Sequence, residues 1–398
     1  MSHTPIVITG AGIVSAIGND CSQTLRSLLD SKSGIAPLRY LATDHHEFPV
    51  GEVKLSNDEM ADIVNVPKQA PVTRTSLMGM MALDEALRDA ALSPSDLRNV
   101  SFVSGTTVGG MDKSEQYYLD FLDSDNHKEY IATHDCGACS QMIADHAGRF
   151  ARVFTPSTAC SSAANAIILG ANLIRSGRAD IVVAGGAECI TKYHLNGFNS
   201  LMILDEKPCR PFDATRAGLN LGEGAAYVVL ESEDSARRRG ASPWCSLSGW
   251  GNACDAFHQT ASSDNGEGAY LAMKQALEMA TLAPCDIDYI NAHGTGTPNN
   301  DASETVAMKR LFGSMVPAVS STKSMTGHTT SASGAIEMVI CMLALRHSFL
   351  PVNVNWANAM PDGIIPVNEL KQNIDLSHVL CNSFGFGGND SSLLISKR

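Results

Sequence analysis

Three residues combine a reactive side chain with permissive neighbours. They are Cys160 in Thr158-Ala159-Cys160-Ser161-Ser162-Ala163, His293 in Asn291-Ala292-His293-Gly294-Thr295-Gly296-Thr297-Pro298, and His328 at the end of Ser320-Ser321-Thr322-Lys323-Ser324-Met325-Thr326-Gly327-His328. A cysteine between a strand and a helix meets unpaired amides and the positive end of the helix dipole. Both lower a thiol's pKa, and the same amides bind an oxyanion once the thiolate attacks a thioester. The competing reading is a small buried thiol, which is how most of the other ten cysteines are read. Glycines beside His293 at a strand end expose the ring and admit a ligand to the backbone. Thr295 and Thr297 offer hydroxyls to the amides of an extended ligand. His328, read as opening a helix, is disfavoured there as a cation, so a neutral ring that polarises a carbonyl oxygen is expected. Glu337, in an apolar helix nine residues on, needs a partner, and Lys323 is the first choice.

A fourth segment, Asn382-Ser383-Phe384-Gly385-Phe386-Gly387-Gly388-Asn389-Asp390, sets three glycines around two phenylalanines. It is read as a mobile, close-approach loop whose amides complete an oxyanion hole and whose phenylalanine gates a tunnel. A plain glycine-rich hairpin is the alternative. A cysteine protease needs one histidine as base and an orienting Asn or Asp. One Cys with two His in glycine-rich turns instead suits carbon–carbon bond formation on thioesters, with an enolate and a carbonyl oxygen stabilised without a metal.

These residues must be held by a layered α/β scaffold, because short β-rich runs alternate with helical ones. Strands are expected at 6–9, 100–104, 152–155, 181–184, 225–230, 287–292, 318–321 and 391–395, with a further strand beginning at Trp244. Leu77, Met80, Met81, Leu87 and Ala91 recur at helical spacing over 75–91 and form a core stripe. Arg237-Arg238-Arg239-Gly240 closes a solvated helix, and its charges complement the dipole. The best domain boundary follows it, giving an N-terminal half, 1–242, with the cysteine and a C-terminal half, 243–398, with both histidines. Runs 160–168 and 328–336 echo each other, each placing a reactive side chain at the mouth of a helix lined with small residues.

The 398 residues are 44% hydrophobic and 18% charged, which excludes a disordered or fibrous chain. Forty-two acids against twenty-nine bases leave a net charge of −13, unsuited to nucleic acid. Eleven scattered cysteines in a long chain suggest free thiols and a cytoplasmic setting, and no signal peptide or apolar run near the ~20 residues of a membrane span is seen. Gly10-Ala11-Gly12 is a poor dinucleotide fingerprint and is read as a tight turn, because Ser15 replaces the third glycine. Cys136-Gly137-Ala138-Cys139, with His134 and His146, lacks the second ligand pair of a zinc site. Asp120, Asp123 and Asp125 form a solvated face rather than a cation loop.

At Thr158–Ser162, Ala184-Gly185-Gly186-Ala187-Glu188, Arg210-Pro211-Phe212-Asp213, Asn291–Thr295, Ser321–His328 and Asn382–Gly388 the chain closely resembles the β-ketoacyl-acyl carrier protein synthases of the thiolase superfamily, especially the elongating type I/II enzymes. Order and spacing hold from about residue 5 to the end, outside 40–75 and 110–150. The resemblance implies a thiolase-like five-layer αβαβα fold built from two similar halves. It also implies a homodimer and an acyltransferase of fatty-acid or fatty-acid-like synthesis that uses no cofactor beyond the phosphopantetheine of acyl carrier protein.

In the implied cycle Cys160 takes the acyl group, and His293 and His328 hold the thioester oxygen while malonyl-carrier protein decarboxylates. Lys323 and Glu337 support the histidines. The amides of Cys160 and Phe386 form the oxyanion hole, and Phe386 gates entry. Thr295, Thr297 and Thr260 hold the pantetheine arm, and Val108 faces the acyl pocket. Lys68, Arg74 and Lys207 are expected to form a basic patch for the acidic carrier. The chain departs from the family at Gly388-Asn389-Asp390, where Thr-Asn is usual, and in the unusual segment 136–147. A thiolase is disfavoured because Phe386 and Gly387 occupy the loop of its second cysteine. A ketosynthase of a specialised type II pathway (aryl-polyene or polyketide) and a non-catalytic chain-length-factor-like heterodimer partner stand as alternatives. The intact Cys160, His293 and His328 disfavour the latter.

Overall fold

Several strands are buried at every residue, β1 (Ile6–Ser15) and β5 (Gly224–Ser232) among them. Burial on both faces requires helices on both sides of the sheet. The computed structural model describes residues 5–398. Its other strands are β2 (Val100–Gly105), β3 (Arg152–Phe154), β4 (Ile181–Glu188), β6 (Cys245–Cys254), β7 (Tyr289–Asn291), β8 (Ala318–Ser320), β9 (Phe349–Leu350), β10 (Lys371–Gln372), β11 (His378–Gly385) and β12 (Asn389–Ser396). β9 and β10 pair apart from the rest, which form a ten-stranded sheet in the order β3-β2-β4-β5-β1-β6-β12-β11-β7-β8.

From either edge inward, that order is third, second, fourth, fifth and first strand of its half. The three edge strands are parallel and the last two join antiparallel. The halves meet where Ile6, Val7 and Ile8 pair with Leu247, Ser246 and Cys245. Helices Ser162–Arg175 and Ser333–His347 pack on each other and on strands of both halves, forming the middle layer. Ser333–His347 is buried all round from Ser333 to Leu345, as a helix apolar on every side must be. A Cβ on Gly334 would lie 2.8 Å from the Cβ of Ala164. The small residues shared by runs 160–168 and 328–336 are therefore what lets the two helices approach. Arg74–Asp89 covers β1, β4 and β5 on one outer face, while Glu267–Ala280 covers β6 and β12 on the other.

Two expectations need correction. Gly10-Ala11-Gly12 is not a turn: β1 runs through it, and a Cβ on Gly12 would lie 2.1 Å from the carbonyl oxygen of Ala82 on the covering helix. The glycines serve helix-on-strand contact. Residues 382–385, expected in a mobile loop, belong to β11, a central strand paired with β7 and β12. Only Phe386-Gly387-Gly388 forms the hairpin turn, with Gly387 and Gly388 at φ near +84° and +82°.

Candidate active site

Cys160 sits in the turn that feeds Ser162–Arg175, with Ala159 at φ +52°. Ser161 Oγ donates to the Thr158 carbonyl (2.8 Å) and Ser162 Oγ to that of Ala159 (2.7 Å), which fixes the turn. The thiol is 5% exposed, and its Sγ lies 3.1 Å from Nε2 of His328. Here the structure reverses one expectation. The helix begins two residues later, and burial pushes the thiol up to about 11, against the opposing pull of the Lys323 charge and the backbone amides of Phe386 and Cys160. Those two amides converge on the sulfur from separate halves of the chain.

His328 does not open a helix. It follows Gly327 in the link between the short helix Lys323–Thr326 and Ser333–His347, five residues before the latter begins. Its backbone is pinned by an N–H bond to Asn220 O (2.7 Å) and by the Gly222 N–H (2.8 Å), and Nδ1 meets Ser333 Oγ at 3.1 Å. The ring is held well below the usual imidazole range by burial, then by the charge of Lys323. Burial, rather than a helix dipole, accounts for its neutrality.

His293 follows β7 and stands edge-on to His328, with ring centroids 5.3 Å apart and planes at 84°. Its backbone N–H and that of Gly294 both donate to Glu304, at 2.9 and 2.8 Å. Burial first, then Lys323 and His328, depress its pKa strongly. Lys323, 1% exposed, is hydrogen-bonded to Glu337, whose carboxyl burial raises to about 7 despite that cation. The expected pair is present, and its charge reaches both histidines and the cysteine.

A cavity of about 280 Å³ opens on this cluster, and its walls include Cys160, His293, His328, Phe386, Thr260, Thr295 and Thr297. The hydroxyls of Thr295 and Thr297 are 2.9 Å apart. Phe386, half-buried, stacks on Phe198 with centroids 5.8 Å apart. A buried thiol beside two neutral imidazoles, with amides aimed at the sulfur, can accept an acyl group and stabilise oxyanions. This arrangement suits thioester chemistry.

The N-terminal domain of the β-ketoacyl synthases matches residues 3–236, and their C-terminal domain matches 244–357. The chain belongs to the β-ketoacyl synthase family. It is 32% identical to "3-oxoacyl-[acyl-carrier-protein] synthase 2" of Staphylococcus aureus (strain N315) over 409 residues, covering 98% of each chain. It is 34% identical to "Nodulation protein E" of Rhizobium meliloti (strain 1021) over 402 residues, again covering 98% of each. The solved structure of "the ishigamide ketosynthase/chain length factor" superposes with a TM-score of 0.93 at 30% identity over the whole of both chains.

Other expected residues of this synthase lie elsewhere. Val108 is 2% exposed, its N–H donating to Glu188 Oε1 (3.2 Å), and it is not among the cavity's lining residues. Arg74 is no docking residue: it is buried against Glu223 at 2.6 Å and bonded to the carbonyls of Leu55 and Val53. Lys68 is half-exposed and paired with Asp62 (3.3 Å), and Lys207 is exposed. Cys136 and Cys139 lie in the helix Cys136–Ala147, while His134 bonds Ser114 and His146 bonds Asp84. Among the described residues no group of three His, Cys, Asp or Glu could hold a metal ion, and no helix is long and apolar enough to cross a membrane.

Three supports of the site carry roles that the sequence did not assign, although Glu304 was visible just after the His293 segment. Glu304 orients His293. Glu188 accepts hydrogen bonds from Thr106, Thr107 and Ser331, tying the Val108 loop to the link after His328. His194, buried on Lys192–Ser200, lowers the pKa of His328 and stands edge-on to Phe198. Only Glu188 lay inside a quoted motif.

Proposed function

We propose that this synthase catalyses decarboxylative Claisen condensation of malonyl-acyl carrier protein with an acyl group held on Cys160. The Cys160 thiol attacks the incoming acyl thioester, its proton passes through His328 Nε2 to the departing pantetheine sulfur, and the acyl-enzyme forms. Malonyl thioester then loses CO₂. Between the half-reactions the remaining His328 proton moves from Nδ1, beside Ser333 Oγ, to Nε2, so that His293 and His328, both neutral, donate to the enolate oxygen, and the enolate carbon attacks the acyl-Cys160 carbonyl. The amides of Cys160 and Phe386 take the oxyanion charge, and collapse releases the β-ketoacyl thioester and expels the Cys160 thiolate, which takes a proton from solvent to restore the thiol. Lys323 and Glu337 hold the field in which both imidazoles stay neutral. Thr295, Thr297 and Thr260 receive the pantetheine arm, Phe386 gates the acyl group, and no cofactor beyond the carrier's phosphopantetheine is invoked. The Cys160–His328 contact at 3.1 Å with His293 edge-on carries this reading.

Acyl carrier protein is the partner, and the working unit is a homodimer of chains halved at 1–242 and 243–398. The likeness to a ketosynthase/chain length factor and to a nodulation protein favours a second reading of the pathway. In it the same chemistry serves a specialised type II system, with a related subunit in a heterodimer. Eleven free cysteines favour a reducing, cytoplasmic setting. The test is mass spectrometry of protein taken from cells. An acyl adduct on Cys160 supports the assignment, its mass separates the pathways, and undiminished labelling of Cys160→Ala by radiolabelled acyl thioester refutes it. Malonyl decarboxylation should survive in that variant.

A further inference from the structure

Two acids in the wall of the catalytic cavity are left unused by this scheme. Asp255, just after β6, and Asp390, early in β12, both line it. Asp390 pairs in register with Ala253, and Asp255 stands two residues beyond Ala253, so the side chains are diagonal neighbours. Gly268 records their crowding: a Cβ there would lie 2.3 Å from Asp390 Oδ2 and 2.8 Å from Asp255 Cβ. Their surroundings differ. Asp255 accepts hydrogen bonds from the Ser263 N–H (2.7 Å), the Ser263 hydroxyl (2.6 Å) and the Gly268 N–H (3.0 Å). Among the described residues nothing donates to the Asp390 carboxyl. Burial first, then the charges of Asp255 and of Glu304 on Pro298–Phe312, raise Asp390 to about 8. Lys274, the one cation of helix Glu267–Ala280, is turned to Glu278 (3.7 Å), and Arg310 of Pro298–Phe312 is engaged with Glu267 (2.8 Å).

The pair also sits at the base of the gate. The Asp255 N–H donates to Gly388 O and the Gly387 N–H to Gln259 O, each at 2.8 Å, so segment 255–259 is laced to the Phe386 turn. On the other side Asn389 Oδ1 accepts from Ser161 Oγ (2.8 Å), Asn165 (2.7 Å) and Asn252 (2.9 Å), tying the turn to the segment that bears Cys160.

We propose that Asp390 and Asp255 hold one proton between them, and that this proton makes Asp390 a positioning residue for the gate turn. As a neutral acid, Asp390 donates to the Asp255 carboxylate and keeps segment 255–259 against β12, with the Phe386 amide over the Cys160 sulfur. Loss of the proton to solvent sets two negative charges face to face and parts the segments. The proposal rests on the condensation reading only for its kinetic test.

The experiment compares the wild type with Asp390→Asn, whose amide donates at every pH and has no proton to lose. Cys160 acylation by an acyl-pantetheine thioester is followed as kcat/KM from pH 7 to pH 9, and the variant-to-wild-type ratio cancels titrations common to both. For a group titrating near 8 the ratio should climb about tenfold over that interval. A flat ratio overturns the proposal. Thermal melting supplies an arm independent of catalysis. A carboxyl raised in the folded state supports stability while protonated and loses that contribution as pH rises through its folded value. D390N should therefore melt above the wild type at pH 9, with the gap narrowing as pH falls from about 8 toward the unfolded value near 4, and a gap constant between pH 8 and pH 5 also overturns the proposal. If neither protein is acylated at any pH, the condensation reading fails and melting alone decides.

Discussion

The Lys323–Glu337 pair offers the most quantitative test of how this site is held, because both partners are almost wholly buried, at 1% and 2%. Removing one partner of a buried ion pair costs roughly 3–5 kcal/mol, since the survivor is left charged in a poor solvent. The survivor can escape by changing protonation, which sets a ceiling that depends on pH. In Lys323→Met the stranded Glu337 takes up a proton, at a cost of about 1.4 kcal/mol for each pH unit above its ordinary value near 4.3. In Glu337→Gln the stranded Lys323 gives one up, at the same rate for each unit below about 10.4. At pH 7 the ceilings are about 3.7 and about 4.6 kcal/mol, so both variants are unstable. At pH 6 the lysine is the dearer orphan, and Glu337→Gln should melt lower. At pH 9 the order should reverse, with a crossing near pH 7.4, midway between the two ordinary values. Melting of the two full-length variants and the wild type from pH 6 to pH 9 checks this. Curves that keep the same order throughout would refute the view that each survivor is a buried, otherwise unsatisfied ion.

Other outcomes follow from the same geometry. Cys160→Ala should abolish acyl loading, as argued above, while leaving malonyl decarboxylation measurable as released CO₂. Arg74→Ala should destabilise by a few kcal/mol, because Glu223 is left buried without its guanidinium. At Lys207, which is exposed, charge reversal to Glu should slow acylation by carrier-bound substrate and spare a small thioester mimic. Equal slowing of both would remove Lys207 from the docking surface. Val108→Phe overpacks a residue that is 2% exposed, at a cost of ~1–3 kcal/mol. If Val108 borders the acyl path, the loss in kcat/KM grows with acyl length; a uniform loss beside a lowered melting temperature assigns it to the core.

The alternation of strands and helices was legible because most of the short apolar runs are strands buried on both faces, and the small-residue runs mark two helices that touch. Glycine misled twice for one reason. In β1 and at 382–385 it permits close approach within extended backbone, which local sequence cannot tell from a turn. Arg74 looked like surface charge because its partner, Glu223, lies 149 residues away. The Lys323–Glu337 pair was legible because an acid in an apolar helix demands a nearby counterion. His194 and Glu304 carried no such signal, since what matters about each is a neighbour supplied by tertiary packing.

The protonation state of the nucleophile shows how that packing changes the chemistry inferred from local sequence. Burial pushes the Cys160 thiol up to about 11, so the thiol rather than a standing thiolate is the resting form. Burial is the dominant cause, and it keeps His293 and His328 neutral as well. A neutral imidazole 3.1 Å from the sulfur can take the proton as the carbon–sulfur bond forms, so charge appears only when a substrate carbonyl is there to carry it. In the proposed cycle the amides of Cys160 and Phe386, which point at the sulfur at rest, pass to the tetrahedral oxyanion, where a preorganised donor is worth most. The same dryness that holds back the thiolate leaves both imidazoles as donors for the malonyl half-reaction, in which a protonated pair of rings would repel each other across 5.3 Å. One physical condition, burial of the cluster, thus sets the nucleophile and both histidines in the states that the two proposed half-reactions require.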